Sequence, residues 1–189
     1  TDEGKATLAE IRAASKRLVL DDTKNAYLRK GGPRWVTIAD NFQGVISGGV
    51  LSLALSMLDE ASADGTYDDM IYIIENIVKS MEIAVSLYQT NGGYFEGVSY
   101  SEYMLGNLTK GIGALFNCFG SDYSLGSARG FTDAGSFFIY MQTINNRLNF
   151  HDCTPGVTST MLPAWFAYHY GKTEAAEMTV LQNKIRNSS

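Results

Sequence analysis

Between Asn91 and Tyr103 the chain reads Asn-Gly-Gly-Tyr-Phe-Glu-Gly-Val-Ser-Tyr-Ser-Glu-Tyr, a stretch rich in side chains that can move protons. Gly92, Gly93 and Gly97 break the apolar periodicity that precedes them and supply the backbone angles of a tight loop. The loop carries Tyr94 and Glu96, and the helix expected to follow it presents Tyr100 and Tyr103 one turn apart. Several polar-tipped groups therefore converge at one helix entrance. Phenols and a carboxylate gathered there could perform acid-base chemistry. The same tyrosines would also serve as amphipathic packing residues with their hydroxyls at the surface.

Two histidines, His151 and His169, could act as a base. His151 has Asp152 beside it to orient its ring, whereas His169, between Tyr168 and Tyr170 on an expected helix, suits packing or exposure. Cys118 and Cys153 lack metal-ligand spacing and are expected to be buried thiols, although a bridge between them stays open for an exported chain. No metal or cofactor is expected.

The elements that must position these groups are helical. From Lys5 to about Lys30, Leu8, Ile11, Leu18, Tyr27 and Leu28 recur at helical spacings, and Gly31-Gly32-Pro33 ends the run. Trp35, Val36 and Ile38 form a short apolar approach, after which Asp40 or Asn41 can cap a helix to about Leu58. That helix is almost wholly apolar or small and belongs in an interior. Its glycines cost about 1 kcal/mol each relative to alanine, so close approach to another helix or to a ligand is expected there.

Asp59 to Thr66 reads as a polar connection, and Asp68 or Asp69 as the cap of an amphipathic helix to about Gln89. Beyond the central loop a helix is expected from about Ser99 to Phe119, with Gly106, Gly111 and Gly113 allowing tight contact. A loop follows over Gly120 to Gly130, then a helix from Thr132 or Asp133 to about Gln142. The stretch Ile144 to Pro155 reads as irregular, and helices follow at Ser159 to Tyr170 and Thr173 to Arg186. Pro163 lies in a first turn, where it is tolerated. The expectation is a single all-α domain over 1–189, built from antiparallel helical hairpins of solenoid or toroid length.

Composition narrows the function classes. The 189 residues, 45% hydrophobic, suffice for one sizeable core. A formal charge of −5 argues against general nucleic-acid binding. A polyanion would need a local patch, for which Lys16, Arg17, Lys24, Arg29, Lys30 and Arg34 are candidates. No uninterrupted run of 18 apolar residues suggests a membrane span, and no signal peptide is visible. Oligomeric state is not legible.

Three segments resemble the heparinase II/III-like polysaccharide lyases. Asp40-Asn41-Phe42-Gln43-Gly44-Val45-Ile46-Ser47-Gly48-Gly49 is similar to the family's helix start of asparagine, aromatic, polar residue and paired glycines. Gly93-Tyr94-Phe95-Glu96-Gly97-Val98-Ser99-Tyr100-Ser101-Glu102-Tyr103 resembles its tyrosine, proline, glutamate, glycine and tyrosines loop, with Phe95 where proline is usual. A weaker likeness lies in Asn149-Phe150-His151-Asp152 and Pro163-Ala164-Trp165-Phe166-Ala167.

The resemblance implies part of an incomplete (α/α) toroid, which the family's complete enzymes extend with a C-terminal β-sandwich not seen in this sequence. It implies an acidic polysaccharide as partner, periplasmic or secreted location, and cleavage of uronic-acid glycans by β-elimination. By motif position Asn41 would neutralise the sugar carboxylate, with Gln43 assisting, and Tyr100, with Tyr103 in reserve, would move protons. Either histidine could be the base, and Glu96 would bond the loop or a sugar hydroxyl. Trp35, Phe42, Tyr94, Tyr100 and Tyr103 could line a sugar groove, with Arg34 beside them. Two other readings are a noncatalytic helical carbohydrate-binding or scaffold module, and a toroidal glycoside hydrolase pairing Glu96 with Asp40 or Asp152.

Overall fold

The computed structural model describes residues 1–143, 146–148, 150–157, 159 and 161–188. Asn149, the first residue of the weakest motif, lies outside them. Within them the chain is all-helical and no strand occurs, only an isolated bridge between Gln142 and Arg147.

The first helical run is continuous but not uniform: α1 (Asp2–Ser15) passes through a π-helical segment (Lys16–Leu20) into α2 (Asp21–Leu28). The short apolar approach around Trp35 forms a one-turn helix, α3 (Arg34–Thr37). Next comes α4 (Asn41–Ser56), capped by Asp40, whose Oδ1 accepts from the Phe42 N–H at 3.0 Å. The segment read as a polar connection is mostly helix, α5 (Leu58–Asp64), stopped by Gly65 in the left-handed region. Asp59 and Glu60 sit in its first turn, where the helix dipole favours acids, and Ala61 faces the core.

The long amphipathic helix α6 (Tyr67–Ser86) then leads through the glycine loop to α7 (Val98–Phe119). The chain continues through α8 (Ala134–Tyr140), α9 (Met161–Tyr170) and α10 (Thr173–Ser188). Of the two cysteines, both free thiols, Cys153 is buried as expected and Cys118 is exposed near the end of α7.

The core sits where α4 packs on both α6 and α7. A Cβ added at Gly44 would meet the Met104 side chain at 2.5 Å, and one at Gly48 would collide with the backbone at Asn107 and Leu108. A Cβ at Gly111 would lie 2.9 Å from Gly48 Cα. Contacts thus advance together along the two helices, which run in the same direction with their entrances at one end. Helix α6 runs the other way: Met81 lies against Gly111, and the Tyr88 hydroxyl is 3.4 Å from Ser101 Oγ. The packing of α4 on α7 is therefore the close helix-to-helix approach that the glycines implied.

Candidate functional site

Because α4 and α7 start side by side, the two strongest motif segments meet. Glu96, in the loop before α7, accepts from the Asn41 amide Nδ2 at 3.2 and 3.1 Å through its two oxygens, and from the Asn41 backbone N–H at 3.2 Å. The Tyr94 hydroxyl donates to Glu96 Oε2 at 2.6 Å. Asp40, one residue before Asn41, receives Nε and a terminal nitrogen of Arg34 on Oδ2 at 3.0 and 2.8 Å. A chain of charge-assisted bonds thus ties the α3–α4 corner to the glycine loop.

The members differ sharply in access. Asn41, Gln43 and Tyr94 are buried, Asn41 at only 3% exposure, while Glu96 is half-buried and the Arg34 side chain is 66% exposed. Asn41 Oδ1 and Gln43 Oε1 are enclosed without a hydrogen-bond partner among the described residues. Neither amide lies open to a sugar carboxylate, so Asn41 acts on the loop by holding Glu96. Burial, reinforced by the Glu96 carboxylate, pushes the Tyr94 phenol far above its usual pKa. It stays protonated and is a donor, not a base.

The expected acid-base phenols stand on the first turns of α7. Tyr100 is half-buried against the core, and Tyr103 is 50% exposed. Tyr100 makes no side-chain hydrogen bond among the described residues, so its hydroxyl is not committed elsewhere.

The third motif segment is brought to the same end of α7. The Thr154 N–H donates to Ser99 Oγ at 2.9 Å, and a Cβ at Gly97 would lie 2.9 Å from the Phe150 carbonyl oxygen. Gly97 has φ 91°, which also favours glycine, so the loop can seat this segment only with glycine there. Arg147 pairs with Glu102 and donates to the Val157 carbonyl at 3.1 Å, and the Ser159 N–H donates to Glu102 Oε1 at 2.5 Å. On this strapped segment His151 is exposed, and its Nδ1 lies 3.4 Å from Asp152 Oδ2.

Two expected residues lie elsewhere. Trp35 packs edge-on against Tyr27 at 5.5 Å and lines a separate groove with Arg29 and Asp22. His169 stacks on Phe116 at 4.7 Å with Trp165 tilted against it at 4.4 Å, and burial lowers its pKa.

Sequence reasoning missed a groove of about 670 Å³, which runs along α7 from Glu102 to Asn117 and is walled by Trp165, Tyr168 and His169 of α9. Its available signal was Gly106 and Gly113, seven residues apart on one helix face. Among the described residues no group of three histidine, cysteine or acidic side chains could hold a metal. No single helix there is long and apolar enough to cross a membrane. No family model matches this chain, and no curated protein matches it.

Proposed function

We propose that this chain is the helical part of a polysaccharide lyase acting on uronic-acid glycans, with its reacting groups at the entrance of α7. The observation that carries the reading is convergence: three sequence segments spread over more than 100 residues meet at one end of the helix pair α4 and α7. A polar cluster holds that meeting point together, and Tyr100 with Tyr103 stands on the next turns.

In β-elimination the proton beside the sugar carboxylate is removed and its electron pair becomes the new carbon–carbon double bond. The glycosidic C–O bond breaks, and the departing oxygen takes up a proton. Arg34, exposed and fixed by Asp40, is the available cation for the carboxylate, which stabilises the charge that develops on proton removal. Tyr100 supplies the proton to the departing oxygen, with Tyr103 one turn on. His151, its Nδ1 turned toward Asp152, takes the proton through its other nitrogen. Asn41, Tyr94 and Glu96 act on none of the reacting atoms; they fix the loop that delivers the phenols.

Incubation with alginate-type and heparan-type polymers should release unsaturated uronate, read by the ultraviolet absorbance of its conjugated double bond. The Tyr100→Phe variant should lose on the order of 100-fold or more of that rate, the scale of a removed general acid. Reducing ends without the chromophore, or full activity in Tyr100→Phe, overturns the proposal.

The commitment of the Asn41 amide to Glu96 favours a second reading, in which the same end of the molecule holds an acidic glycan without cleaving it. Saturable binding of these polymers with no new double bond would select it.

A further inference from the structure

The glycines of the core helices fall into two populations. Gly44, Gly48 and Gly111 are explained by packing, because any Cβ there would strike the neighbouring helix. Gly106 is not: a Cβ at that position has nothing within 4 Å, although glycine inside a helix is costly. At Gly113 the nearest atom is Trp165 Nε1, at an ordinary 3.8 Å. Both line the groove between α7 and α9, and both leave its floor without side chains where no protein atom requires it.

The walls have a definite chemistry. Trp165 and Tyr168, the latter 84% exposed, give flat apolar surfaces, and Ser52 and Asn117 add hydroxyl and amide groups. The acidic residue of the lining, Glu102, is neutralised by Arg147. Lys110 is exposed and has no acidic partner among the described residues, so the lining carries uncompensated positive charge. From Glu102 to Asn117 the floor extends about 22 Å at the rise of an α-helix, room for several linked rings. Aromatic faces, hydrogen-bonding groups and one free cation along a bare channel suit a sugar chain that bears carboxylate or sulfate.

We propose that the groove between α7 and α9 is a binding track for an acidic oligosaccharide, distinct from the reacting groups and running along α7 from Glu102, which lies between Tyr100 and Tyr103 in sequence, to Asn117. Rings lie over the bare floor at Gly106 and Gly113 against the Trp165 and Tyr168 wall, and an anionic substituent meets Lys110. The sugar class rests on the lyase reading; the existence and charge preference of the track do not.

Calorimetric titration of the Tyr100→Phe protein, which removes turnover, tests the track with an oligouronate and with a neutral β-linked glucan of equal length. The oligouronate should bind at least tenfold tighter. Lys110→Glu should erase that preference, and Gly106→Leu should abolish binding of both while the melting temperature holds or rises, since a Cβ there has no protein atom within 4 Å and glycine inside a helix is costly. Trp165→Ala should weaken both ligands, and the two α7 variants keep the test decisive if that protein does not fold.

Unchanged binding in Gly106→Leu overturns the track, as does equal affinity for the acidic and neutral chains. Sedimentation showing that the groove is closed by a second copy of this chain, released by Gly106→Leu, overturns it too. If no unsaturated product forms but binding is lost in Gly106→Leu and Lys110→Glu, the lyase reading falls and the track stands. If product forms and binding ignores both substitutions, the track alone falls.

Discussion

Replacing Glu96 with alanine should expose how much the junction of α4 with the glycine loop depends on one carboxylate. Three donors end on it: the Asn41 backbone N–H, the Asn41 amide and the Tyr94 hydroxyl. Two of these groups belong to side chains no more than 3% exposed, which leaves water little access to replace the acceptor. Hydrogen bonds to a charged group contribute about 1.5–3 kcal/mol each, and Glu96 itself is half-buried, so a discounted loss of about 3–5 kcal/mol is expected. That is a large fraction of the roughly 5–15 kcal/mol by which folded domains are stable. With a urea slope of about 2 kcal/mol per molar for a chain of this size, the midpoint should fall by roughly 1.5–2.5 M. Glu96→Gln keeps one acceptor oxygen and turns an amide donor toward donors, so it should fall between alanine and the native residue. A urea midpoint for Glu96→Ala within about 0.5 M of native would refute the reasoning, because the donors would then have found other partners.

The two kinds of glycine give a prediction of opposite signs from one substitution. Gly48→Ala drives a methyl group into the backbone of α7 and should destabilise by about 1–3 kcal/mol or more, whereas Gly106→Ala meets open space and should stabilise by up to about 1 kcal/mol. Thermal unfolding of the pair checks this, and equal effects would contradict the packing described. At high pH, Tyr27 is the group to follow: burial, only partly offset by its 2.7 Å bond with Ser80, pushes its pKa up to about 12. The unfolded phenol ionises near pH 10, so the stability from keeping Tyr27 neutral is complete below that pH and is lost as pH rises from about 10 through 12. Tyrosinate absorbance with denaturant titrations across that window should show the loss in the native protein and a smaller one in Tyr27→Phe.

Much of the fold was legible because the dominant helices carry long, regular patterns. The apolar periodicity of α6 and the small-residue run of α4 fix which elements are interior, and Gly44, Gly48 and Gly111 advertise a helix contact too close for a Cβ. At α5 polarity misleads, because a charged stretch reads as a loop. Asp59, Glu60 and Asp64 make α5 look like a connection, yet acids in a first turn complement the helix dipole, and buried Ala61 with half-buried Leu58 is enough to seat so short a helix. Gly106 and Gly113 resemble Gly111 in sequence, which shows that glycine is present but not which way its helix is turned.

The site was legible to a similar depth. Helix entrances are marked by local chemistry, so Asp40, Asn41 and the glycine loop could be found one at a time. What could not be found was the partner of each polar group. Whether Asn41 faces solvent or Glu96 depends on the rotation of α4, which is set by contacts along the whole of α7 and not by residues near position 41. Arg147 and Glu102, 45 residues apart, have no local signature at all. The same rotation that turns Asn41 inward turns Gly44 and Gly48 onto α7. In turn α7 shows its other face, with Gly106, Lys110 and Gly113, to the groove. Burial of the amide and opening of the groove are thus two consequences of one helix packing. A substitution that rotates α4, such as Gly48→Ala, should disturb both together.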